Sequence, residues 1–194
     1  MQKRIILPML VGAVFLGACG GKQAPQVEPP VAATPGDDEE ARRRAEEERR
    51  RREEEERRRR EEEERRRAEA EAARAREILA EMVFFDFDRY DIRMDAEATL
   101  RAKTGVLRAN PDVRVRIEGH ADERGSDEYN LALGMRRASA VRDFLVGFGL
   151  DASRFDVVSR GKEQPLDPRS NEEAWARNRR AEFHVISGQV LRVQ

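Results

Sequence analysis

Cysteine and histidine are scarce in this chain, which has one cysteine and two histidines among 194 residues. A disulfide within the chain is therefore impossible, and a zinc site or a Cys/His nucleophilic pair lacks the residues it needs. An excess of one charge is lacking too, because the net charge is −1 although 40% of the residues are charged. Since the chain has no overall basicity, we expect no nucleic-acid partner. We also expect no metal and no cofactor.

The apolar run near the N-terminus, residues 5–16, has 12 residues and is too short for a comfortable transmembrane helix. Because Lys3-Arg4 precedes it, the run is typical of an export signal. The next residues, Leu16-Gly17-Ala18-Cys19, resemble a bacterial lipobox, which implies cleavage before Cys19 and a diacylglycerol on its sulfur. We therefore expect a lipoprotein signal peptide over residues 1–18 and a lipid anchor at Cys19. The alternative is an ordinary secreted protein with a free thiol.

Two segments of biased composition follow. Residues 19–36 hold four prolines among small residues, a composition typical of an extended tether. Residues 42–67 comprise fourteen Arg, eleven Glu and one Ala, in runs that place opposite charges four residues apart. Each such pair stabilises a helix by ~0.2–0.5 kcal/mol. We therefore predict a solitary charged helix over 37–81 that acts as a stiff spacer, with a disordered charge run as the alternative.

The remaining segment, residues 82–194, has the alternating pattern of a folded domain. We predict strands over 83–87, 112–118, 155–159 and 181–186, and helices over 95–109, 128–147 and 171–177. Asp95 is the expected N-cap of the first of these helices. The order βαβαβαβ predicts a layered sandwich of helices and strands, in which one sheet carries helices mainly on one face.

The stretch from Glu118 to Ala138 indicates a ligand site. A strand that alternates apolar and polar residues ends in a tight polar turn, and a helix follows. On this helix Asn130, Gly134 and Arg137 share one face, separate from the apolar face. The glycine leaves clearance either for a ligand or for a neighbouring backbone.

Several separated motifs in residues 82–186 agree in order with one known family. They are Phe85-Asp86-Phe87-Asp88, Gly119-His120-Ala121-Asp122-Glu123-Arg124-Gly125, Glu128-Tyr129-Asn130, Leu133-Gly134-Met135-Arg136-Arg137-Ala138, Gly161-Lys162-Glu163 and Asn178-Arg179-Arg180-Ala181. Together they resemble the OmpA-like C-terminal domain family. The Glu/Arg segment and the tail 187–194 are not features of that family.

The resemblance implies an α+β fold, the OmpA-like βαβαβαβ sandwich with one mixed sheet and helices mainly on one face. It also implies that the domain binds the diaminopimelate-containing stem peptide of peptidoglycan without cleaving it. In this family the aspartate of the turn, here Asp122, takes the ligand ammonium, and the second arginine of the helix, here Arg137, takes the carboxylate. A planar guanidinium suits a carboxylate because it donates two parallel hydrogen bonds. Asn130, Asp88 and Arg124 are further contacts by resemblance.

By the same resemblance the protein is a lipid-anchored, periplasm-facing lipoprotein of the outer membrane, not an enzyme. It links that membrane to the cell wall and binds the periplasmic propeller protein of the Tol system. Alternative functions are a wall-modifying enzyme and a protein-interaction scaffold.

Single residues also have alternative interpretations. The alternative for Asp122 and Arg137 is a surface ion pair of ~0–1 kcal/mol, and the alternative for Asn130 is an N-cap. Arg180 is either a contact or a structural partner of the sheet. For His120 we expect a structural, hydrogen-bonded imidazole.

Overall fold

The computed structural model describes residues 35–193. The predicted signal peptide, Cys19 and most of the tether lie outside this range. Within it, no helix has the length and apolar character needed to cross a membrane. The chain divides into two compact units between Arg50 and Arg51. The elements in chain order are α1 (Pro35–Ala80), β1 (Val83–Phe84), α2 (Met94–Ala109), β2 (Arg114–His120), α3 (Asp127–Gly147), β3 (Phe155–Gly161), α4 (Glu172–Asn178) and β4 (Arg180–Ser187), with a 3-10 turn at Ala152–Arg154 before β3.

Helix α1 is charged along most of its length, and residues 38–71 are exposed to solvent. Its ion pairs join Glu and Arg four residues apart, as in Glu56–Arg60 at 2.5 Å and Glu62–Arg66 at 2.6 Å. These pairs place Glu on the N-terminal side of Arg, the more favourable orientation on a helix. The prediction of a long charged helix ahead of the folded domain is confirmed.

The last turns of α1 belong to the hydrophobic core, because alanine and leucine replace the charge runs there. Ala75 and Leu79 are buried in the same cluster as the core residues of the sheet. The Nζ of Lys103 in α2 donates to the carbonyl oxygens of Ile78 at 2.7 Å and Leu79 at 2.8 Å. It thus satisfies carbonyls that the end of a helix leaves without partners. The core therefore extends N-terminal to residue 82.

The four strands form one mixed sheet in the order β1-β4-β2-β3. Strand β2 is parallel to β3, and β4 is antiparallel to both β1 and β2. Val115 and Ile117 of the central strand β2 are buried in one cluster with Leu107 of α2 and Val141 of α3. The next residue, Glu118, faces the other side of the sheet. The predicted element order, the mixed sheet and the placement of helices mainly on one face are confirmed.

The first strand is shorter than predicted, because it ends at Phe84 instead of residue 87. The backbone N–H of Phe85 donates to the carbonyl oxygen of Arg179 at 2.9 Å, outside the strand ladder. The chain then turns at Asp88, whose φ of 55° lies in the left-handed region. The other predicted strands and helices of the domain are present, with ends displaced by at most two residues.

The predicted N-cap of α2 is wrong. The helix begins at Met94, and its N-cap is Arg93, which makes no side-chain capping hydrogen bond. Asp95 lies in the first turn, where its carboxylate pairs with the Arg93 guanidinium at 2.8 Å. A carboxylate in this turn still interacts favourably with the positive end of the helix dipole.

Helix α3 approaches strand β2 closely at a pair of glycines. A Cβ on Gly134 would lie 2.6 Å from the carbonyl oxygen of Gly119 and 2.3 Å from the Oγ of Ser159. A Cβ on Gly119 would lie 1.9 Å from the carbonyl oxygen of Gly134. The clearance at Gly134 is therefore filled by the neighbouring strands.

The tail folds back onto the domain. Val190 is buried in the core. The side chain of Asn110, the residue that ends α2, accepts a hydrogen bond from the N–H of Leu191 and donates one to the carbonyl oxygen of Arg192, both at 2.8 Å. Asn110, the C-cap of α2, thus also fastens the C-terminal residues.

Candidate ligand-binding site

A cavity of about 190 Å³ lies where the loop after β1 and the turn after β2 meet the first turns of α3. Strands β1 and β2 run in the same direction, since both are antiparallel to β4. The loops that follow β1 and β2 therefore lie at the same end of the sheet. All five residues that the sequence suggested as ligand contacts line this one cavity. The lining residues are Phe87, Asp88, Asp122, Arg124, Gly125, Tyr129, Asn130, Leu133 and Arg137.

Arg137 is a buried cation at this cavity, with 0% of its surface exposed. Its guanidinium donates to three backbone carbonyl oxygens: Nε to Arg89 at 2.8 Å, Nη1 to His120 at 2.8 Å and Nη2 to Asp86 at 3.0 Å. Among residues 35–193 no carboxylate forms a salt bridge with it. A guanidinium has five N–H donors, so two remain for a ligand.

The ionisation of Arg137 is set by its surroundings. Burial lowers the pKa of Arg137 to about 10, and the charge of Asp122 opposes this shift. The side chain therefore remains a cation at neutral pH. A buried charge without an anionic partner is unfavourable, and it strongly favours an anion that enters the cavity.

Asp122 is 4% exposed and forms its ion pairs with other arginines, not with Arg137. The guanidinium of Arg124 lies 2.7 Å from its carboxylate, and that of Arg179 lies at 3.4 Å. Burial alone would raise the pKa of Asp122, but the hydrogen bonds from Arg124 outweigh it, so the pKa lies below its usual value. The alternative of a simple Asp122–Arg137 surface pair is wrong.

Arg124 lies between two aromatic rings. Its guanidinium carbon is 4.0 Å from the ring centre of Phe87 and 4.1 Å from that of Trp175 in α4. Such cation–π contacts contribute ~0.5–1 kcal/mol each at exposed sites. A second carboxylate, that of Glu172, is 3.6 Å from the guanidinium. Arg124 thus forms one wall of the cavity.

Asn130 and Asp88 lie on two other walls. The N-cap of α3 is Ser126, so Asn130 is not a cap. Asn130 is buried, and its Nδ2 donates to the carbonyl oxygen of Arg124 at 3.0 Å, which braces the turn. On the rim, the hydroxyl of Tyr129 donates to the carboxylate of Asp88.

Sequence reasoning missed several residues of the site: Phe87, Tyr129, Gly125 and Leu133 line the cavity, and Arg179 binds Asp122. Phe87 and Tyr129 lie inside the quoted motifs, beside Asp88 and Asn130, so proximity to predicted contacts was an available signal. Arg179 also lies in one of these motifs, Asn178-Arg179-Arg180-Ala181, beside Arg180. Arg180 itself is structural, because it pairs with Glu182 at 2.6 Å and does not line the cavity.

His120 differs from expectation. It is 1% exposed, but neither ring nitrogen has a hydrogen-bond partner within the described part of the chain. Its Nε2 lies 3.8 Å from Glu182, too far for a hydrogen bond. Burial lowers the pKa of His120 to about 4, which keeps the ring neutral at pH 7. Its contribution to the site is its backbone carbonyl, which accepts from Arg137.

Residues 84–179 match the OmpA family, and this range contains every residue that lines the cavity. The peptidoglycan-associated lipoprotein of Agrobacterium fabrum is 48% identical over 103 residues, which cover 53% of this chain and 58% of that protein. That of Haemophilus influenzae is 46% identical over 99 residues, covering 51% and 65%. The chain thus spans less than two thirds of the length of these relatives.

Among solved structures, the peptidoglycan-associated lipoprotein of Burkholderia pseudomallei is similar, with a TM-score of 0.54 and 41% identity. The likeness covers 56% of this chain and 92% of that one. Sequence and fold therefore agree over the same globular part. The chain belongs to the OmpA family.

Proposed function

We propose that this protein is an outer-membrane lipoprotein that binds peptidoglycan noncovalently through the diaminopimelate of the stem peptide. The observation that carries the proposal is the Arg137 guanidinium, which is fully buried at a cavity and has no carboxylate partner among the described residues. The names of its relatives, which are peptidoglycan-associated lipoproteins, point in the same direction.

The end of a diaminopimelate side chain bears an ammonium and a carboxylate on one carbon. Its carboxylate matches the two N–H groups of Arg137 that carbonyls leave free. Its ammonium matches the carboxylates that line the same cavity, Asp122 and Asp88. Asn130 and Arg124 complete the proposed set of contacts. A cavity of about 190 Å³ suits such a side-chain terminus and not a whole glycan strand.

The proposed role is retention, not catalysis. A general acid for glycan hydrolysis needs a raised pKa, whereas the pKa of Asp122 is lowered. With a lipid on Cys19, a tether over 19–36 and a charged helical spacer over 37–81, the domain holds the outer membrane to the wall. We also propose the periplasmic propeller protein of the Tol system as a partner, which places the protein in the Tol-Pal system.

Calorimetry with soluble muropeptides tests the proposal. The full chain in detergent is titrated with a stem tripeptide that ends in meso-diaminopimelate, and with the matched tripeptide that ends in lysine. The lysine peptide keeps an ammonium but lacks the carboxylate for Arg137. Since a hydrogen-bonded charge is worth ~1.5–3 kcal/mol, we expect it to bind about 10–100-fold more weakly.

Equal binding of the two peptides would show that Arg137 does not select the carboxylate. Mass spectrometry of the recovered peptide tests the noncatalytic role, since new fragments would indicate an enzyme. Full wall retention by both Asp122→Ala and Arg137→Ala would favour the scaffold instead.

A further inference from the structure

The carboxylate of Asp122 has no acceptor position left for a ligand. Its Oδ1 accepts from the backbone N–H of Arg124 at 3.2 Å and from the Arg124 Nε at 3.1 Å. Its Oδ2 accepts from the Arg124 Nη2 at 2.7 Å and from the Arg179 Nη1 at 3.4 Å. Two carboxylate oxygens offer about four lone-pair positions. An ammonium therefore binds Asp122 only if one of these donors leaves.

The Arg124 side chain is the donor best able to leave. Its side chain is 31% exposed, whereas that of Arg179 is 7% exposed and also donates to the carbonyl oxygen of Phe85 and to Glu172. Arg124 has another anion within reach, since Glu172 lies 3.6 Å away. The loss of its Asp122 pair therefore leaves Arg124 charged but not isolated, whereas the departure of Arg179 would also break its hydrogen bonds to Phe85 and Glu172.

We propose that the Arg124 guanidinium is an internal substitute for the ligand ammonium. Arg124 pairs with Asp122 in the free protein, and the ligand ammonium displaces it. This inference rests on the proposed function and specifies how that site takes up the ligand ammonium. Arg124 remains a member of the site. However, its removal should raise the affinity for the ligand, whereas the removal of an ordinary contact lowers it. Only molecules in which Arg124 has left Asp122 can bind the ligand ammonium. The apparent affinity is therefore reduced by the fraction of molecules in that state.

The substitution Arg124→Gln tests this directly by calorimetry on the full chain. Two tripeptides serve as probes, one ending in meso-diaminopimelate and one ending in 2-aminopimelate, which keeps the distal carboxylate but lacks the distal ammonium. We expect Arg124→Gln to bind the first about tenfold more tightly than the unsubstituted chain does. It should bind the second no more tightly, because that ligand has no need of Asp122.

A matched control is available on the opposite face of the sheet. Arg160 pairs with the buried carboxylate of Glu118 through Nε at 2.8 Å and Nη2 at 3.0 Å, the same two nitrogens that Arg124 uses. Arg160 does not line the cavity. Arg160→Gln should therefore leave the affinity for both tripeptides unchanged.

The protein also carries its own reporter, because Trp175 is its single tryptophan and contacts the Arg124 guanidinium. In the unsubstituted chain the diaminopimelate peptide should change the Trp175 emission, and the 2-aminopimelate peptide should not. In Arg124→Gln the emission change should disappear while calorimetry still records binding.

The outcomes separate the two proposals. If the unsubstituted chain fails to bind the diaminopimelate peptide, the proposed function is wrong and the displacement with it. If it binds that peptide but Arg124→Gln binds it equally or more weakly, the proposed function stands. In that case Arg124 is an ordinary contact, and the displacement is refuted.

Discussion

The close approach of α3 to β2 predicts that Gly134→Ala destabilises the protein, against the rule for helix interiors. Alanine normally stabilises a helix interior by ~1 kcal/mol relative to glycine. Here the new Cβ would lie 2.6 Å from the backbone of Gly119 and 2.3 Å from the Ser159 hydroxyl. The backbone of a central strand cannot rotate away, and overpacking costs ~1–3 kcal/mol. Because both contacts are shorter than 3.0 Å, we expect a cost in the upper part of that range and, after the ~1 kcal/mol helix gain, a net loss of about 1–2 kcal/mol.

The same substitution should weaken ligand binding. Gly134 lies three residues before Arg137, whose Nη1 donates to the carbonyl oxygen of His120 in β2 at 2.8 Å. When the helix moves away from the strand, this hydrogen bond lengthens and the guanidinium leaves its position at the cavity. A misplacement of this kind lowers affinity without any change in the residues that touch the ligand.

The assay is thermal unfolding followed by circular dichroism. A loss of 1–2 kcal/mol corresponds to a decrease in Tm of about 3–6 °C for a chain of this size. Gly147→Ala is the control, because Gly147 is in the same helix and a Cβ there meets nothing within 4 Å. We expect this control to keep or slightly raise the Tm.

A double mutant sharpens the test. Ser159→Ala removes the 2.3 Å contact but leaves the 2.6 Å contact with the Gly119 backbone, so it should rescue Gly134→Ala only in part. If Gly134→Ala instead raised the Tm, as we expect for Gly147→Ala, the short contacts between α3 and β2 would not destabilise the alanine variant, and this prediction would be wrong.

Two further predictions concern charged groups. Burial lowers the pKa of Lys103 to about 7, whereas the unfolded chain keeps that proton to about pH 10.4. The unfolded state thus binds more protons in this window, and the free energy of unfolding should rise by about 2 kcal/mol from pH 7 to pH 9. Urea unfolding of Lys103→Met, which should lack this rise, checks it. A peptide of residues 38–71 should be helical at low salt and less so in about 1 M NaCl, since salt screens exposed pairs. A reordered peptide with like charges four residues apart should show far less helix by circular dichroism.

Much of the site could be predicted from the sequence because its members lie in two short motifs. Asp122, Arg124, Asn130 and Arg137 all fall within one strand-turn-helix stretch, whose local geometry is set by its own pattern. Asp88 joins them because β1 and β2 belong to one sheet with β4 between them. The periodicity of the strands also located the sheet and its buried face.

What the sequence could not predict are the contacts between distant segments. Arg179 binds Asp122, which lies 57 residues before it in the sequence. The carbonyl oxygen of Arg179 also accepts from the N–H of Phe85, at a position where the sequence predicted a strand. Likewise, the Nε2 of His120 in β2 lies 3.8 Å from the carboxylate of Glu182 in β4, and it has no hydrogen-bond partner among the described residues. No local propensity encodes these distances, since tertiary packing decides them.

The two sides of the proposed site contribute to binding in different ways. On Asp122 the ligand ammonium replaces the Arg124 guanidinium, so the number of ion pairs to that carboxylate stays the same and the net gain in free energy is small. On Arg137 the ligand carboxylate supplies an anionic partner that the described residues do not provide. Arg137 is already buried in the folded protein, so binding does not add the cost of removing this charge from water. The ligand carboxylate should therefore provide most of the affinity. The exchange at Asp122 should give the unsubstituted chain only modest discrimination against a ligand without an ammonium, and Arg124→Gln, in which Asp122 is not held by that guanidinium, should discriminate about tenfold more.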